Sequence, residues 1–380
     1  MIPCQRHLFD LPDDVAYFNC AYLSPLLKSV LEAGLDGVRR KARPWEILTP
    51  DFDTEVEKAR GLFARLIGAE ADDVAVVPAA SYGTANAAAN LPVDGGQRLI
   101  VLEDQFPSNV NPWVRTAQKR NAELVTIPRP ESGGWTDPVL AVVDERCAVV
   151  ALPNCHWTDG TLIDLVAVGR RCREVGAALV LDLTQSIGAM PFDVGEVQPD
   201  FMVAAGYKWM MGPYSLGFMY AAPKYHDGEG FEHNWASRAS DPDFQRLAHY
   251  APRFPLKARR YDVGEAGNFA LMPMAVAALG QLIEWDPAET QATLRAMTDA
   301  ITGRAEEVGL VASPAAERAG HFLGLRFPDG PPDDLVARLA AQNVHVSLRG
   351  DSMRITPHLY NNEADIERFF QALDAVIGGN

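Results

Sequence analysis

From residue 74 onward the chain alternates short β-branched runs with longer amphipathic stretches, and this rhythm restricts the fold more than any other feature. The runs span 74–77, 98–102, 148–152, 178–183, 201–204 and 216–220. Such an order predicts an α/β fold, a large domain with a mostly parallel sheet between helices. In sheets of this kind ligands bind at the carboxyl ends of the strands. Ser81, Asp182 and Lys208 all lie at or just beyond such ends, so one crevice can hold all three although they are far apart in sequence.

Residues 222–258 then turn irregular and rich in aromatic, charged and proline residues, among them Tyr225, Phe231, Trp235, Phe244, Tyr250, Pro252 and Pro255. A loop of that length inside a compact chain is a functional segment or an interface cover. Pro273 opens an apolar helix carrying Met274, Val276, Leu279, Leu282 and Ile283, and a second helix spans 288–308. Beyond it the pattern is a strand at 321–327, a helix at 332–342, strands near 344–348 and 353–356, and a last helix. That helix has Ile366, Phe369, Phe370, Leu373, Val376 and Ile377 on one stripe and Asn362 as its N-cap. The expected division is an N-terminal segment (1–15), a large ligand-binding domain (16–258), and bridging helices with a small C-terminal α+β domain (259–380). No internal repeat or low-complexity segment is present.

Composition narrows the function. Fifty acidic against 34 basic residues give a net charge of −16, which disfavours nucleic acid and anionic membrane surfaces and fits a small-molecule substrate. The opening residues lead into Asp10, Asp13 and Asp14 without a long apolar stretch, so neither a signal peptide nor a membrane span is expected and the compartment is cytoplasmic. Five scattered cysteines without a C-x-x-C spacing argue against a disulfide framework or structural zinc. Eight dispersed histidines show no ligand spacing, so no metal is expected.

Two residues point to pyridoxal phosphate chemistry. Asp182 ends one apolar run and Lys208 follows the next. A lysine amine forms a Schiff base with the cofactor aldehyde, and an aspartate keeps the pyridine nitrogen protonated so that the ring accepts electrons. Alone, Asp182 also reads as a helix cap, and Lys208 as a snorkelling side chain. Their company favours chemistry: Gln185 follows three residues after Asp182, placed to donate to the cofactor's phenolate oxygen. Tyr207, Trp209, Met210 and Met211 make an apolar setting that lowers an amine pKa. The stretch Ser81-Tyr82-Gly83-Thr84 follows an apolar run and opens a helix, whose exposed amides and hydroxyls suit a phosphate, or equally an ordinary N-cap at Ser81. Phe106 is placed to stack on the pyridine ring or to pack in the core. Arg354, on a strand of the small domain, suits a substrate carboxylate or a surface ion pair.

With these residues together the chain resembles the class V aminotransferase family of fold-type I pyridoxal phosphate enzymes, whose relatives include cysteine desulfurases, kynureninases and isopenicillin N epimerase-like proteins. The resemblance runs through Tyr17-Phe18-Asn19-Cys20-Ala21, Ser81 to Thr84, Phe106-Pro107-Ser108-Asn109, His156-Trp157-Thr158-Asp159-Gly160, Asp182-Leu183-Thr184-Gln185, Gly206-Tyr207-Lys208 and Arg354-Ile355-Thr356-Pro357-His358. It implies Lys208 as the Schiff-base lysine, Asp182 as pyridinium partner, Gln185 as phenolate contact, Phe106 as the stacking residue, Tyr207 as a phosphate ligand and Arg354 as the carboxylate anchor. It also implies a homodimer with shared active sites, Asn268 in Gly264-Glu265-Ala266-Gly267-Asn268 reaching the partner's phosphate, and Trp157 bordering the pocket. Two departures from the desulfurase pattern stand out. No cysteine occurs between Val344 and Met353, and Phe106 stands where desulfurases carry a histidine.

The expected enzyme binds an amino acid, removes its α-proton with Lys208 and delocalises the electrons into the cofactor. Aminotransferase ranks first because it needs no additional residue, a β-lyase or epimerase second, and a cysteine desulfurase is disfavoured. A nicotinamide-linked oxidoreductase would need the G-x-G-x-x-G fingerprint that the chain lacks. A non-catalytic relative would have lost the lysine or the aspartate, and both are present.

Overall fold

A computed structural model describes residues 1–131, 133–233 and 257–378. The chain opens with β1 (Ala16–Tyr17), α1 (Lys28–Lys41) and α2 (Asp51–Ile67). Strands and helices then alternate: β2 (Val74–Val77), α3 (Ala80–Asn90), β3 (Arg98–Leu102), α4 (Asn111–Arg120), β4 (Glu123–Ile127), α5 (Thr136–Val142), β5 (Cys147–Leu152), α6 (Leu165–Val175), β6 (Ala178–Asp182), α7 (Val194–Val197), β7 (Phe201–Ala205) and β8 (Gly217–Ala221). The described strands from β2 to β8 form one sheet in the order β2-β8-β7-β6-β5-β3-β4. Neighbours among β7, β6, β5, β3 and β4 are parallel, and β8 runs antiparallel to both β7 and β2. The strands other than β8 therefore present their carboxyl ends at one edge.

Side-chain alternation divides the core between the two faces of this sheet. Val74, Val76, Ile100, Leu102, Val150, Leu152, Leu179 and Leu181 pack on one side with α2, α6 and residues 272–285. Ala75, Val77, Leu99, Val101, Val149, Ala151, Ala178 and Val180 pack on the other with α3 and α4. Burial on both sides explains the uninterrupted apolar runs. β4 is absent from those runs because, unlike β2 at the opposite edge, it is only partly covered. Glu123 and Thr126 are exposed, Leu124 and Val125 half-buried, and only Ile127 is buried.

The chain continues through α8 (Leu271–Trp285), with Pro273 in its first turn, and α9 (Pro287–Glu307), which Asp286 caps by accepting from the Ala288 amide. Next come β9 (Val311–Ala312), β10 (Leu323–Arg326), α10 (Leu335–Ala340), β11 (Val344–His345), β12 (Ser347–Arg349), β13 (Ser352–Ile355) and α11 (Glu363–Ile377). An antiparallel sheet in the order β12-β13-β10-β9 and the helices α9, α10 and α11 enclose a third core. Ala16 and Phe18 belong to that core, and β1 pairs in parallel with β11. Asn362 caps α11 as expected, in a capping box with Asp365. Of the irregular stretch, Tyr225 and Phe231 lie within the described residues, whereas Trp235, Phe244, Tyr250, Pro252 and Pro255 lie outside them. Among the described residues no helix is long and apolar enough to cross a membrane.

One buried ion pair ties α2 to the β2 edge. Arg60, fully buried, donates from Nη2 to Asp262 Oδ2 at 2.7 Å and from Nη1 to Oδ1 at 3.1 Å, while Asp262 Oδ1 also accepts from the Val76 amide at 2.7 Å. Removing the carboxylate strands the guanidinium in the interior, with Glu57 as its one remaining acidic partner among the described residues. Asp262→Ala is expected to lower stability by about 3 kcal/mol, read as a shift in the urea unfolding midpoint. Asp262→Asn, which keeps an acceptor, should lose less.

Candidate active site

The carboxyl edge of the large sheet opens into a cavity of about 280 Å³ lined by Ser81, Phe106, Trp157, Asp182, Gln185, Tyr207 and Lys208, together with Cys155, Thr184, Tyr214 and Ser215. Asp182 is the last residue of β6 and continues the side-chain alternation of Ala178 and Val180 toward the α3 side. Lys208 follows β7 in a tight loop closed by hydrogen bonds from the Gly206 amide to Leu216 O at 2.8 Å and from the Gly212 amide to Gly206 O at 2.9 Å. A Cβ at Gly206 would lie 2.8 Å from Leu216 O, so glycine there permits the turn.

Lys208 is buried and, among the described residues, has no carboxylate within ion-pair distance. Burial pushes its amine down to about 8; the charge of Asp182 opposes the shift, and those of Arg354 and Arg349 add to it. Its Nζ lies 5.3 Å from the centre of the Phe106 ring and 5.6 Å from that of Tyr207. Asp182 is also buried, which pushes its carboxyl pKa up, against the pull of Thr184 and Lys208. The Thr184 amide donates to Asp182 Oδ1 at 3.1 Å. Asp182 is therefore a desolvated carboxyl group without a close cationic partner among the described residues.

Gln185 is fixed by two contacts. Its Oε1 accepts from Trp209 Nε1 at 2.9 Å and its Nε2 donates to Ala21 O at 3.1 Å, leaving one amide hydrogen unassigned. The start of α3 carries no side-chain cap, and Ala79, Ala80 and Ser81 all line the cavity. The Tyr82 and Gly83 amides turn back to Ala79 O at 3.1 and 3.3 Å, whereas the Ala80 and Ser81 amides, at the first two positions of the helix, have no acceptor within it and are open to an anion. A buried carboxylate, an uncapped helix start and a buried amine in one cavity fit the ring nitrogen, phosphate and aldehyde of pyridoxal phosphate.

Neighbouring residues of the same motif take other directions. Tyr82 donates its hydroxyl to Glu232 Oε1 at 2.9 Å, Gly83 faces the sheet where a Cβ would come within 2.8 Å of Val203 Cγ2, and buried Thr84 donates to Ser108 O at 2.8 Å. None of the three lines the cavity, and their contacts are structural. Asn268 lies elsewhere, in a separate cavity, and its Oδ1 accepts from the Ala270 and Leu271 amides at the start of α8. Residues not singled out in the sequence also line the site. Thr184 accepts from the Ala205 amide at 3.1 Å, and Tyr214 packs on Tyr207 at 4.5 Å between rings. Their nearness to Asp182 and Lys208 in the chain was the available signal.

Arg354 lies just outside the cavity wall, 1 % exposed. Its Nε donates to Ser347 Oγ at 2.8 Å and its Nη1 to Trp157 O at 3.0 Å, while Nη2 has no partner. Burial, reinforced by the charge of Arg349, pushes this guanidinium down to about 9. Trp157 stands between Arg354 and the cavity, edge-on to Phe106 with ring centres 5.4 Å apart. The loop that carries it is anchored by His156, whose Nε2 contacts Glu103 O at 3.1 Å and whose Nδ1 faces Arg129 at 3.0 Å.

A sequence model of the family described as Aminotransferase class-V matches residues 40–369. An uncharacterised aminotransferase of Bacillus subtilis is 24% identical over 322 residues, covering 84% of each chain. Isopenicillin N epimerase of Streptomyces clavuligerus is 22% identical over 384 residues, covering 97% of this chain and 96% of the relative. Among solved structures, the apo cysteine desulfurase of Thermococcus onnurineus superposes with a TM-score of 0.87 at 19% identity, covering 100% of both chains, a likeness of fold.

The depressed amine predicts a titration. In the cofactor-free protein, chemical labelling of Lys208 should rise as pH passes through about 8, well below the ordinary lysine value of 10.5, because the neutral amine is the reactive form. Asp182→Asn removes a charge that favours the ammonium and should move the midpoint lower. Arg354→Met should move it higher. Peptide mass spectrometry after labelling at a series of pH values reads all three.

Proposed function

Because this chain belongs to the class V aminotransferase family of pyridoxal-phosphate-dependent enzymes, we propose that it is an aminotransferase acting on an amino acid whose carboxylate Arg354 anchors. The observation that carries this reading is the buried Lys208 amine in the cavity that Asp182 and the open start of α3 also line. When bound, pyridoxal phosphate supplies a sink for the electrons left when the substrate's α-proton departs. Lys208 would hold it through Nζ, Asp182 would face the ring nitrogen, Gln185 the phenolate oxygen, and Phe106 one face of the ring. The α3 amides, the Ser81 hydroxyl and Tyr207 would hold the phosphate.

The chain's own residues then divide the work. Arg354 Nη2, buried and without a partner, is available for a carboxylate, and guanidinium geometry favours a two-point grip. Lys208, released as a neutral amine, takes the α-proton and returns it at a different carbon. Its lowered pKa keeps a sizeable neutral fraction near neutral pH. Transamination requires only this one base. A desulfurase would require a nucleophilic thiol before Arg354, and the Val344 to Met353 stretch has none. Phe106, the proposed stacking residue, offers no base for epimerisation.

The active unit we infer is a homodimer. Leu31, Leu35 and Val38 form an exposed apolar stripe at i, i+4, i+7 on α1, with Trp45 and Leu48 also exposed. Asn268, remote from its own chain's cavity, would serve the partner's phosphate site. Sedimentation should give twice the chain mass of 41.5 kDa.

The direct test is an absorbance spectrum between about 300 and 500 nm, the region of the aldehyde cofactor and its amine form. Purified protein should absorb as the cofactor-bound form and bleach to the amine form with a reactive amino acid, releasing the matching keto acid. Loss of a β-substituent would instead assign a lyase, and loss of optical activity an epimerase. Lys208→Ala should abolish turnover, and Arg354→Ala should raise KM about 10- to 100-fold while leaving cofactor affinity intact.

A further inference from the structure

The face of the small sheet that meets Trp157 carries more positive charge than a single carboxylate needs. Across β12 and β13, Ser347 stands opposite Arg354, and Arg349 opposite Ser352. Across β13 and β10, Ser352 stands opposite Arg326. Directly opposed residues share a face, as do residues two apart on one strand. Arg326, Ser352 and Arg349 therefore form a row across three strands, with Arg354 beside it.

None of these three arginines forms an ion pair among the described residues, in a chain with 50 acidic side chains. Arg349 and Arg354 lie over the same Trp157 ring, at 5.6 Å and 5.8 Å from its centre. Packing on the indole face occupies their planes and leaves N–H donors unspent. Between Arg349 and Arg326, Ser352 is 4 % exposed, and its Oγ is buried without a hydrogen-bond partner. Like charges gathered on one sheet face repel, and a buried hydroxyl without a partner costs free energy. One anion placed in the row relieves both.

The row lines a second cavity, of about 790 Å³, which shares Gln105 and Trp157 with the Lys208 cavity. Asp104, Glu131, Asp159, Glu317 and Asp351 also line it, with Arg129 paired to Asp159, and among the described residues none of these carboxylates is ion-paired with Arg326 or Arg349. Trp157 is thus a wall common to the two cavities. We propose that Arg349, Ser352 and Arg326 recognise a second anionic group, so that the substrate is an amino acid with an acidic side chain. The inference rests on the amino-acid reading of the Lys208 site and names its substrate class.

The test uses the cofactor-loaded enzyme. Glutamate should exceed glutamine in kcat/KM by at least tenfold, and Arg349→Met and Arg326→Met should each cut that ratio by about 10- to 100-fold. O-phosphoserine against serine, run in parallel, tells a phosphate-bearing side chain from a carboxylate. Calorimetry on the wild type adds a readout without turnover: glutarate should bind at least tenfold more tightly than pentanoate. Equal kcat/KM for glutamate and glutamine and for O-phosphoserine and serine, or variants that lower acidic and neutral substrates alike, or equal binding of the two acids, would overturn the proposal. A yellow enzyme that responds to no amino acid would sink the amino-acid reading itself. Activity on neutral amino acids alone would sink only the acidic side-chain site.

Discussion

The amine of Lys208 is buried without a close counter-charge among the described residues, and its surroundings are arranged to keep it there. Desolvation favours the neutral form of the amine. A flexible lysine would relieve that penalty by turning toward water. Here the loop after β7 is closed by the Gly206 and Gly212 amides, and Trp209 behind it is fully buried, with its indole nitrogen on Gln185. The same Gln185 is held by Ala21 and by His321, whose Nε2 meets Gln185 O at 2.7 Å. Ala21 and the lysine loop therefore meet the side chain of Gln185, and His321, just before β10, meets its backbone carbonyl. Reactivity at Lys208 follows from that rigidity.

The small unit contributes through a close approach rather than through the cavity wall itself. A Cβ at Gly324 on β10 would fall 2.7 Å from both Asp159 Cα and Ser352 Oγ, so glycine lets the sheet sit against the loop that carries Trp157. Arg354 then reaches the carbonyl of Trp157 from behind. The tryptophan is placed from both sides at once, by His156 and Arg129 in the large unit and by Arg354 in the small one. Arg354 reaches the site electrically, through its effect on Lys208, and mechanically, through Trp157.

How much of this was legible in the sequence varies with the physics of each element. The buried strands announced themselves as apolar runs because both faces are covered, and β4 did not because its faces are only partly covered. Asp182 and Lys208 were legible because a charge beside such a run must sit at its end, where the ligand crevice lies. The stretch Ser81 to Thr84 was legible only as a unit. A helix turns its side chains by about 100° per residue, so Ser81 reaches the cavity while Tyr82, Gly83 and Thr84 go to Glu232, Val203 and Ser108. Arg349 and Arg326 were not legible at all, since their shared face exists only once the register of β12, β13 and β10 is known.

That register has an electrostatic consequence for the chemistry. Arg354 and Arg349 each disfavour the ammonium form of Lys208, and Asp182 is the main charge that favours it. These two guanidinium groups act on the amine within a chain of net charge −16. An anion bound at the arginines cancels the repulsion they exert on the amine. By reciprocity, protonation of Lys208 strengthens that anion's hold by the same factor by which the anion raises the amine's proton affinity. A carboxylate bound at Arg354, as proposed, would therefore do more than occupy it. Its arrival would raise the basicity of the Lys208 amine and its departure would lower it, so binding and base strength would be coupled through charges that do not touch each other.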